Sequence, residues 1–282
     1  MQQKNIFITG CSTGIGWCAA ETLHKRGYRV FASARKPADL ARLQALGVES
    51  IMLDMDDSST IHQAFNTVME KTGGTLDALF NNAGMARVGA VEDLTREMMR
   101  AQFETNVFGP MELTNLVVPV MRKQGHGRII HNTSILGVIT MPYRGNYNAS
   151  KFALEAYTST LRQELRQEKN IHVSIIAPGP IATEFRATAR KSFEDALGDK
   201  TSVHDKNYEK MKTGFKTTSA SEKKLTLPPS AVVDKVIDAL ESNHPAARYY
   251  IGLPAHLLAW LRRLLPDEGL DWIIEKNMGE TK

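Results

Sequence analysis

Short apolar runs alternate with longer amphipathic stretches through the first two-thirds of the chain, and this rhythm sets the expected architecture. The runs Asn5–Thr9, Arg29–Ala32, Ser50–Leu53, Leu76–Phe80, Arg128–His131 and His172–Ile176 are apolar almost throughout. Continuous rather than alternating hydrophobicity suits strands buried on both faces, hence a parallel sheet. Between them, Gly14–Arg26, Ala38–Leu46, Thr60–Thr72, Arg96–Arg122 and Tyr147–Lys169 carry helical spacing. The expected fold class is α/β, a doubly wound parallel β-sheet with helices on both faces. No repeat, low-complexity tract or Pro/Gly/Ser-rich linker divides residues 1–282, so one domain is expected.

The pattern changes after Pro180. Arg186–Lys224 holds ten Lys/Arg and six Asp/Glu with little sustained apolar periodicity, so residues 186–227 read as a loop-like excursion. Such a stretch is either a mobile cover over a site or a dispensable surface loop. A helix over Pro229–Asn243, a last strand at Tyr249–Gly252 and two tail helices complete 228–282. In the first tail helix Leu257, Leu258, Leu261, Leu264 and Leu265 form one stripe, with Arg262 and Arg263 to another side and Pro266 ending the run. Trp272, Ile273 and Ile274 follow. Core packing, a lid, an oligomer contact and a membrane-surface patch all remain open for these helices.

Composition narrows the class. Of 282 residues, 42% are hydrophobic and 23% charged, ordinary for a globular protein. The net charge of +4 is spread along the chain rather than gathered into a nucleic-acid footprint. Two cysteines, Cys11 and Cys18, are too few for a disulfide scaffold or a metal cluster and read as packing thiols. Met1-Gln2-Gln3-Lys4 runs straight into a strand without an h-region, and Tyr249–Leu261 is too short to span a bilayer. A soluble, cytoplasmic protein is expected.

Two motifs carry chemistry. Thr9-Gly10-Cys11-Ser12-Thr13-Gly14-Ile15-Gly16 joins a strand to a helix. Glycines there permit positive φ and bring backbone N–H groups to a pyrophosphate at a helix N-terminus, although a merely tight turn reads the same way. The second strand ends Phe31-Ala32-Ser33-Ala34-Arg35-Lys36, with no carboxylate until Asp39. An acid there would accept from a ribose 2′-hydroxyl and indicate NAD. Arg35, with Ser33 and Lys36 as helpers, suits the 2′-phosphate of NADP(H) instead. Further on, Tyr147-Asn148-Ala149-Ser150-Lys151 stacks a phenol and an ammonium on consecutive turns of one helix face. The ammonium is expected to draw the phenol pKa from near 10 toward neutrality, a shift of three units costing about 4 kcal/mol.

With these residues in hand, the chain resembles the short-chain dehydrogenase/reductase family in its single-domain Rossmann form, closely over residues 4–185 and loosely beyond. The family's markers recur in order: the glycine turn; Asp54, which the resemblance places at the adenine; Asn81-Asn82-Ala83-Gly84; Asn106; Ser134, thirteen residues before Tyr147; Lys151; and Pro178-Gly179 leading through Ile181 to Thr183. The resemblance implies that Tyr147 exchanges a proton with the carbonyl oxygen and Ser134 hydrogen-bonds that oxygen. It further implies that Lys151 lowers the Tyr147 pKa and binds the nicotinamide ribose, that Asn106 anchors a proton-relaying water, and that Thr183 fixes the carboxamide. No metal is implied. Residues 186–227 become a substrate loop, and the likeness to hydroxysteroid and retinol dehydrogenases and bacterial aldehyde reductases favours an apolar aldehyde or ketone, or the matching alcohol. A homodimer or homotetramer is implied too. A non-catalytic NADP(H)-sensing regulator is the other reading. Ser134, Asn106 and Thr183 could equally be a strand-end hydroxyl, a helix-kink amide and a helix cap. His131 and Asn132 depart from the family's usual Asn and aliphatic residue.

Overall fold

The computed structural model describes residues 3–197, 201–216 and 224–277. Seven strands form one parallel sheet: β1 Asn5–Ile8, β2 Arg29–Ala34, β3 Glu49–Met52, β4 Ala78–Asn81, β5 Gly127–Asn132, β6 Ile171–Pro178 and β7 Arg248–Ile251. Their order is β3-β2-β1-β4-β5-β6-β7, with β1 between β2 and β4. The chain therefore winds outward from β1 in both directions. The crevice at the C-terminal ends of β1 and β4 is where a doubly wound sheet binds ligands.

Side chains alternate across each strand into two cores. Ile6, Ile8, Val30 and Ala32 face α1 (Gly14–Lys25), α2 (Pro37–Ala45) and α9 (Pro229–Glu241), against Ala19, Leu23, Leu43, Val233 and Val236. Phe7, Phe31, Leu79 and Ile129 face α3 (Ser58–Thr72), α5 (Gly109–Gln124) and α6 (Gly145–Glu164), against Ile61, Val68, Val117 and Leu161. Each of the larger side chains among these gains roughly 1.5–3 kcal/mol on burial, which fixes the register of the strands and of the turns that follow them.

Three elements differ from the sequence expectation. The helix expected over Arg96–Arg122 is interrupted: α4 (Arg96–Phe103) and α5 are joined by a π turn, Glu104–Phe108. Pro110 has no N–H to offer the carbonyl of Asn106 four residues back, so the α ladder breaks there and the Gly109 N–H reaches Glu104 instead. The loop expected over 186–224 is largely helical: α7 (Phe185–Leu197) and α8 (Asp205–Lys216) bury Ala189, Phe193 and Tyr208 in a small apolar cluster shared with Ala86, Val88, Ala90 and Tyr147. So few inward residues within a charged stretch are too sparse for a periodicity reading but enough to dock two helices. Residues 198–200 and 217–223 of that stretch lie outside the described residues. In α10 (Leu253–Leu264) the leucine stripe is not the packed face. Leu257 and Leu264 are exposed while Ala255 and Ala259 are buried, with Leu258 and Leu261 between. A Cβ on Gly179 would lie 3.6 Å from Ala255 Cβ, so the helix approaches too closely for leucine to face inward. α11 (Asp267–Asn277) packs Leu270 and Ile274 into the same cluster.

His131 of β5 is buried between α5 and α6, with Nε2 3.1 Å from Thr114 Oγ1 and Nδ1 2.7 Å from Thr158 Oγ1. Burial, reinforced by the nearby Lys151 charge, pushes its imidazole from 6.5 down to about 3. The folded imidazole is thus neutral where the unfolded one is charged. Its stabilising effect is fully present above pH 6.5 and is lost as pH falls toward 3, at up to about 1.4 kcal/mol per pH unit. His131→Leu should flatten the acid side of the stability profile. Urea midpoints measured between pH 4 and 7 check this, and parallel curves for the two proteins would exclude it.

Candidate active site

The glycine turn is held by its neighbours in the sheet. Thr9 Oγ1 accepts from the backbone N–H groups of Asn82 and Ala83, both at 3.0 Å, and Asn82 Nδ2 donates to the carbonyls of Thr9 and Gly10 at 3.0 and 3.1 Å. A Cβ on Gly16 would lie 2.2 Å from Gly10 O and 2.6 Å from Asn82 Nδ2. Gly10 has φ 71°, and a Cβ there would strike Ala83 Cα at 2.7 Å. Only glycine permits this approach of α1, the turn and the Asn82–Gly84 strap. Thr13 caps α1 without a side-chain hydrogen bond, so the first N–H groups of the helix point into the crevice without a cap from that residue. Gly14, with Thr183 Cβ 3.0 Å from where its own Cβ would be, brings the 178–183 segment to the same place. The donor set and the glycine cradle fit a dinucleotide pyrophosphate.

From Asn82 the hydrogen bonds continue to α6. Asn132 Nδ2 donates to Asn82 Oδ1 at 3.0 Å, and Lys151 Nζ donates to the carbonyl of Asn132 at 2.9 Å. Asn106, fully buried in the π turn, accepts from Met85 N at 2.9 Å and donates to Met85 O at 2.9 Å and to Ser150 Oγ at 3.0 Å. Its amide therefore staples the strap after β4 to α6, beside Lys151. Gly84 lies in front of both: a Cβ there would be 3.4 Å from Asn106 Oδ1 and 3.6 Å from Lys151 Nζ.

Ser134 caps the turn after β5, accepting from Leu136 N at 3.1 Å, and its hydroxyl lies near enough to Tyr147 to act against the rise of the phenol pKa. Lys151 Nζ lies 5.7 Å from the centre of the Tyr147 ring. The sequence expectation that Lys151 brings this phenol toward neutrality needs correction. Burial pushes Tyr147 up to about 12, with the Ser134 hydroxyl and the Arg144 charge pulling weakly the other way. Burial likewise pushes Lys151 down to about 8, against the Glu155 carboxylate. Desolvation outweighs pairing at both groups because the ammonium is directed at the Asn132 carbonyl rather than at the phenol oxygen.

The phenol sits among apolar side chains. Ala86, Val88, Ala90, Ala189, Phe193 and Tyr208 pack around it, and the Phe185 ring lies 5.7 Å away. Asn207 Nδ2 donates to Tyr143 OH at 2.6 Å and Tyr208 OH accepts from Ala90 N at 3.0 Å, tying α8 over the wall. A cavity of about 450 Å³ opens beyond, lined by Ala90, Val91, Glu92, Pro142, Tyr143 and His204.

The other predicted cofactor residues are distributed as follows. Ser12 lies in the glycine turn, Ile15 and Gly16 open α1, Pro178 ends β6 with Gly179 following it, and Ile181 pairs with Leu227. Thr183 Oγ1 accepts from Phe185 N at 3.3 Å at the start of α7. Arg35 is exposed just after β2, its Nη1 3.8 Å from Asp54 Oδ1. Ser33 is buried, and its hydroxyl has no hydrogen-bond partner among the described residues. Sequence reading missed the part played by Asn132, Thr9 and Glu155. For Asn132 the signal was present as the unusual polar residue ahead of Ser134; Glu155, at the same four-residue spacing from Lys151 as Lys151 from Tyr147, could have been found by extending the helix face.

No helix among the described residues is long and apolar enough to cross a membrane. Comparison with known proteins agrees with the geometry. The family model described as short chain dehydrogenase matches residues 4–194. The chain is 36% identical over 275 residues to the uncharacterized oxidoreductase YbbO of Escherichia coli K12, covering 98% of this chain and 95% of that one. It is 38% identical over 186 residues to the 3-ketodihydrosphingosine reductase of Bacteroides thetaiotaomicron, covering 66% of each. Among solved structures, a single-substitution variant of actinorhodin polyketide ketoreductase with NADPH superposes with TM-score 0.71 at 26% identity, covering 88% of this chain and 95% of that one. A Burkholderia phymatum short-chain dehydrogenase/reductase in complex with NAD gives TM-score 0.76 at 24% identity, covering 93% and 92%, a likeness of fold. The chain is an oxidoreductase fold built around a nicotinamide-cofactor crevice, and it belongs to the short-chain dehydrogenase/reductase family.

Proposed function

We propose that the protein is an NADP(H)-dependent reductase of apolar aldehydes or ketones, with Tyr147 as the proton donor. The observation that carries this reading is the Ser134–Tyr147 hydroxyl pair, set at the end of β5 against an apolar wall with Lys151 behind it. A phenol held up to about 12 remains protonated at neutral pH, the form that gives a proton to a carbonyl oxygen. Ser134 would hold that oxygen beside the phenol, and Lys151 would restore the proton while its ammonium contacts the ribose hydroxyls. Asn106 contributes by keeping the Asn82–Gly84 strap against Lys151.

Gly10, Ser12, Thr13, Gly14, Ile15 and Gly16 would hold the pyrophosphate, Asp54 the adenine, and Asn82, Ala83, Gly84, Pro178, Gly179, Ile181 and Thr183 the nicotinamide half. The nicotinamide supplies the hydride that the carbonyl carbon receives. Arg35 favours NADP(H) because its guanidinium is exposed at the end of β2 and its nearest carboxylate, Asp54, stands at 3.8 Å rather than in a tight pair. The apolar lining supports an apolar carbonyl substrate, as do relatives whose names describe ketone reduction. In this reading α7 and α8 form the substrate-side cover, and Phe185 is the side chain a substrate meets on reaching Tyr147.

Tyr147→Phe should lower kcat by roughly 10²–10⁴ while leaving NADPH affinity intact. Loss of NADPH absorbance with a panel of aldehydes and ketones measures the first, and fluorescence titration the second; near-full turnover by the variant would exclude Tyr147 as the acid. Arg35→Ala removes a charge-assisted bond, so the Kd for NADPH should rise roughly 10- to 100-fold with little change for NADH. Equal affinities of the parent for the two dinucleotides would overturn the role given to Arg35.

A further inference from the structure

Glu155 lies one turn beyond Lys151 on α6, as Lys151 lies one turn beyond Tyr147, and its carboxylate is buried. One carboxylate oxygen accepts from the Thr133 hydroxyl at 2.6 Å, and the other is paired with the Arg248 guanidinium of β7. Neither contact serves the proton transfer described above, and a buried ion pair adds little stability compared with apolar side chains of the same size. What the pair touches is informative. Thr133 immediately precedes Ser134. Gly137 closes the same turn, and a Cβ on it would come within 2.8 Å of Glu155 Cγ and 3.0 Å of Lys151 O. The Ser134 loop therefore rests on the segment of α6 between Lys151 and Glu155.

The groups facing Lys151 come from several elements. Tyr147 and Glu155 share its helix; the neutral His131 imidazole and the Asn132 carbonyl come from β5, and the Asn106 amide from the π turn. Arg144 faces Tyr147, while Arg248, with its guanidinium 5.9 Å from the centre of the Tyr250 ring, lies beyond Glu155. Among these groups Glu155 alone is anionic.

We propose that Glu155 is a positioning residue for the proton-transfer pair: its charge keeps the buried Lys151 an ammonium, and its bond to Thr133 fixes Ser134 beside Tyr147. The proposal deepens the carbonyl-reductase reading and rests on it for its catalytic consequence. The direction of the charge effect follows from the burial of Lys151, which favours the neutral amine while the carboxylate favours the ammonium. Without Glu155 the lysine loses its proton at lower pH, and the alkaline limb of the rate profile moves toward acid.

The decisive measurement needs no turnover. In protein labelled with carbon-13 at lysine Cε, the resonance absent from Lys151→Met identifies Lys151, and its shift against pH gives its titration midpoint. Glu155→Gln should lower that midpoint by about one unit, and kcat just below the parent's alkaline limb should fall up to about tenfold as the limb moves with it. The double variant Glu155→Gln with Arg248→Met avoids a stranded guanidinium and should shift in the same direction, whereas Glu155→Asp should return the midpoint toward that of the parent. Thr133→Val should lower kcat severalfold at all pH values while leaving the Lys151 midpoint in place. An unchanged midpoint in the folded double variant overturns the electrostatic role, and an undiminished kcat in Thr133→Val overturns the link to Ser134. A parent that binds NADPH but reduces no carbonyl would instead refute the reductase reading, while the lysine titration still decides the charge role.

Discussion

The hydrogen bonds of Asn82 are the constraint on which the rest of the site depends. Its side chain donates to Thr9 and Gly10 and accepts from Asn132, whose carbonyl receives Lys151. The glycine turn after β1, the strap after β4, the end of β5 and α6 are thereby one connected object. The amide links are modest, about 0.5–1.5 kcal/mol each, but removing one partner leaves the other group unsatisfied. The strands beneath are set by burial of Phe7, Phe31, Ile6 and Ile8 on their two faces, and this chain of amides converts their register into the position of Lys151.

Burial, rather than pairing, sets the charge state of this site. Tyr147 is surrounded by Phe193, Tyr208 and the alanines at 86, 90 and 189, and Lys151 is enclosed by β5, the π turn and its own helix. The phenol is driven toward its neutral form and the lysine toward neutrality from the opposite direction. A site tuned in this way holds a proton where a carbonyl oxygen can take it.

Much of this was legible in the sequence because the signals were local. The apolar strands, the glycine turn and the Tyr147–Lys151 spacing each declare themselves within a few residues, and each stands close to where it was expected. What escaped depended on contacts between distant segments. The docking of α7 and α8 rests on Ala189, Phe193 and Tyr208, which no short window reveals within a charged stretch. The inward face of α10 is alanine because Gly179 and the loop after Ser134 press against it, so the leucine pattern misled. The Tyr147 shift was misjudged because spacing gives the separation of two groups along a helix but not the solvent they lose or the carbonyl that competes for the ammonium. His131 and Asn132 stood out only as departures from a pattern, and the hydrogen bonds that make sense of them reach Thr114, Thr158 and Asn82.

The π turn at Glu104–Phe108 makes chain length itself part of the active site. A π turn contains one residue more than an α-helix would use over the same path. Removing that residue would rotate α4 by about 100° relative to α5. Asn106 would then face away from Met85 and Ser150, and the strap before it would lose its staple to α6. The outward side chains of α4 do not set this register, whereas a single-residue deletion between Phe103 and Pro110 changes it, and with it the place of Gln102, which bonds Arg87 N and Met85 O. The segment is therefore constrained in its count of residues as well as in the identity of Asn106, whereas a surface loop tolerates insertions and deletions.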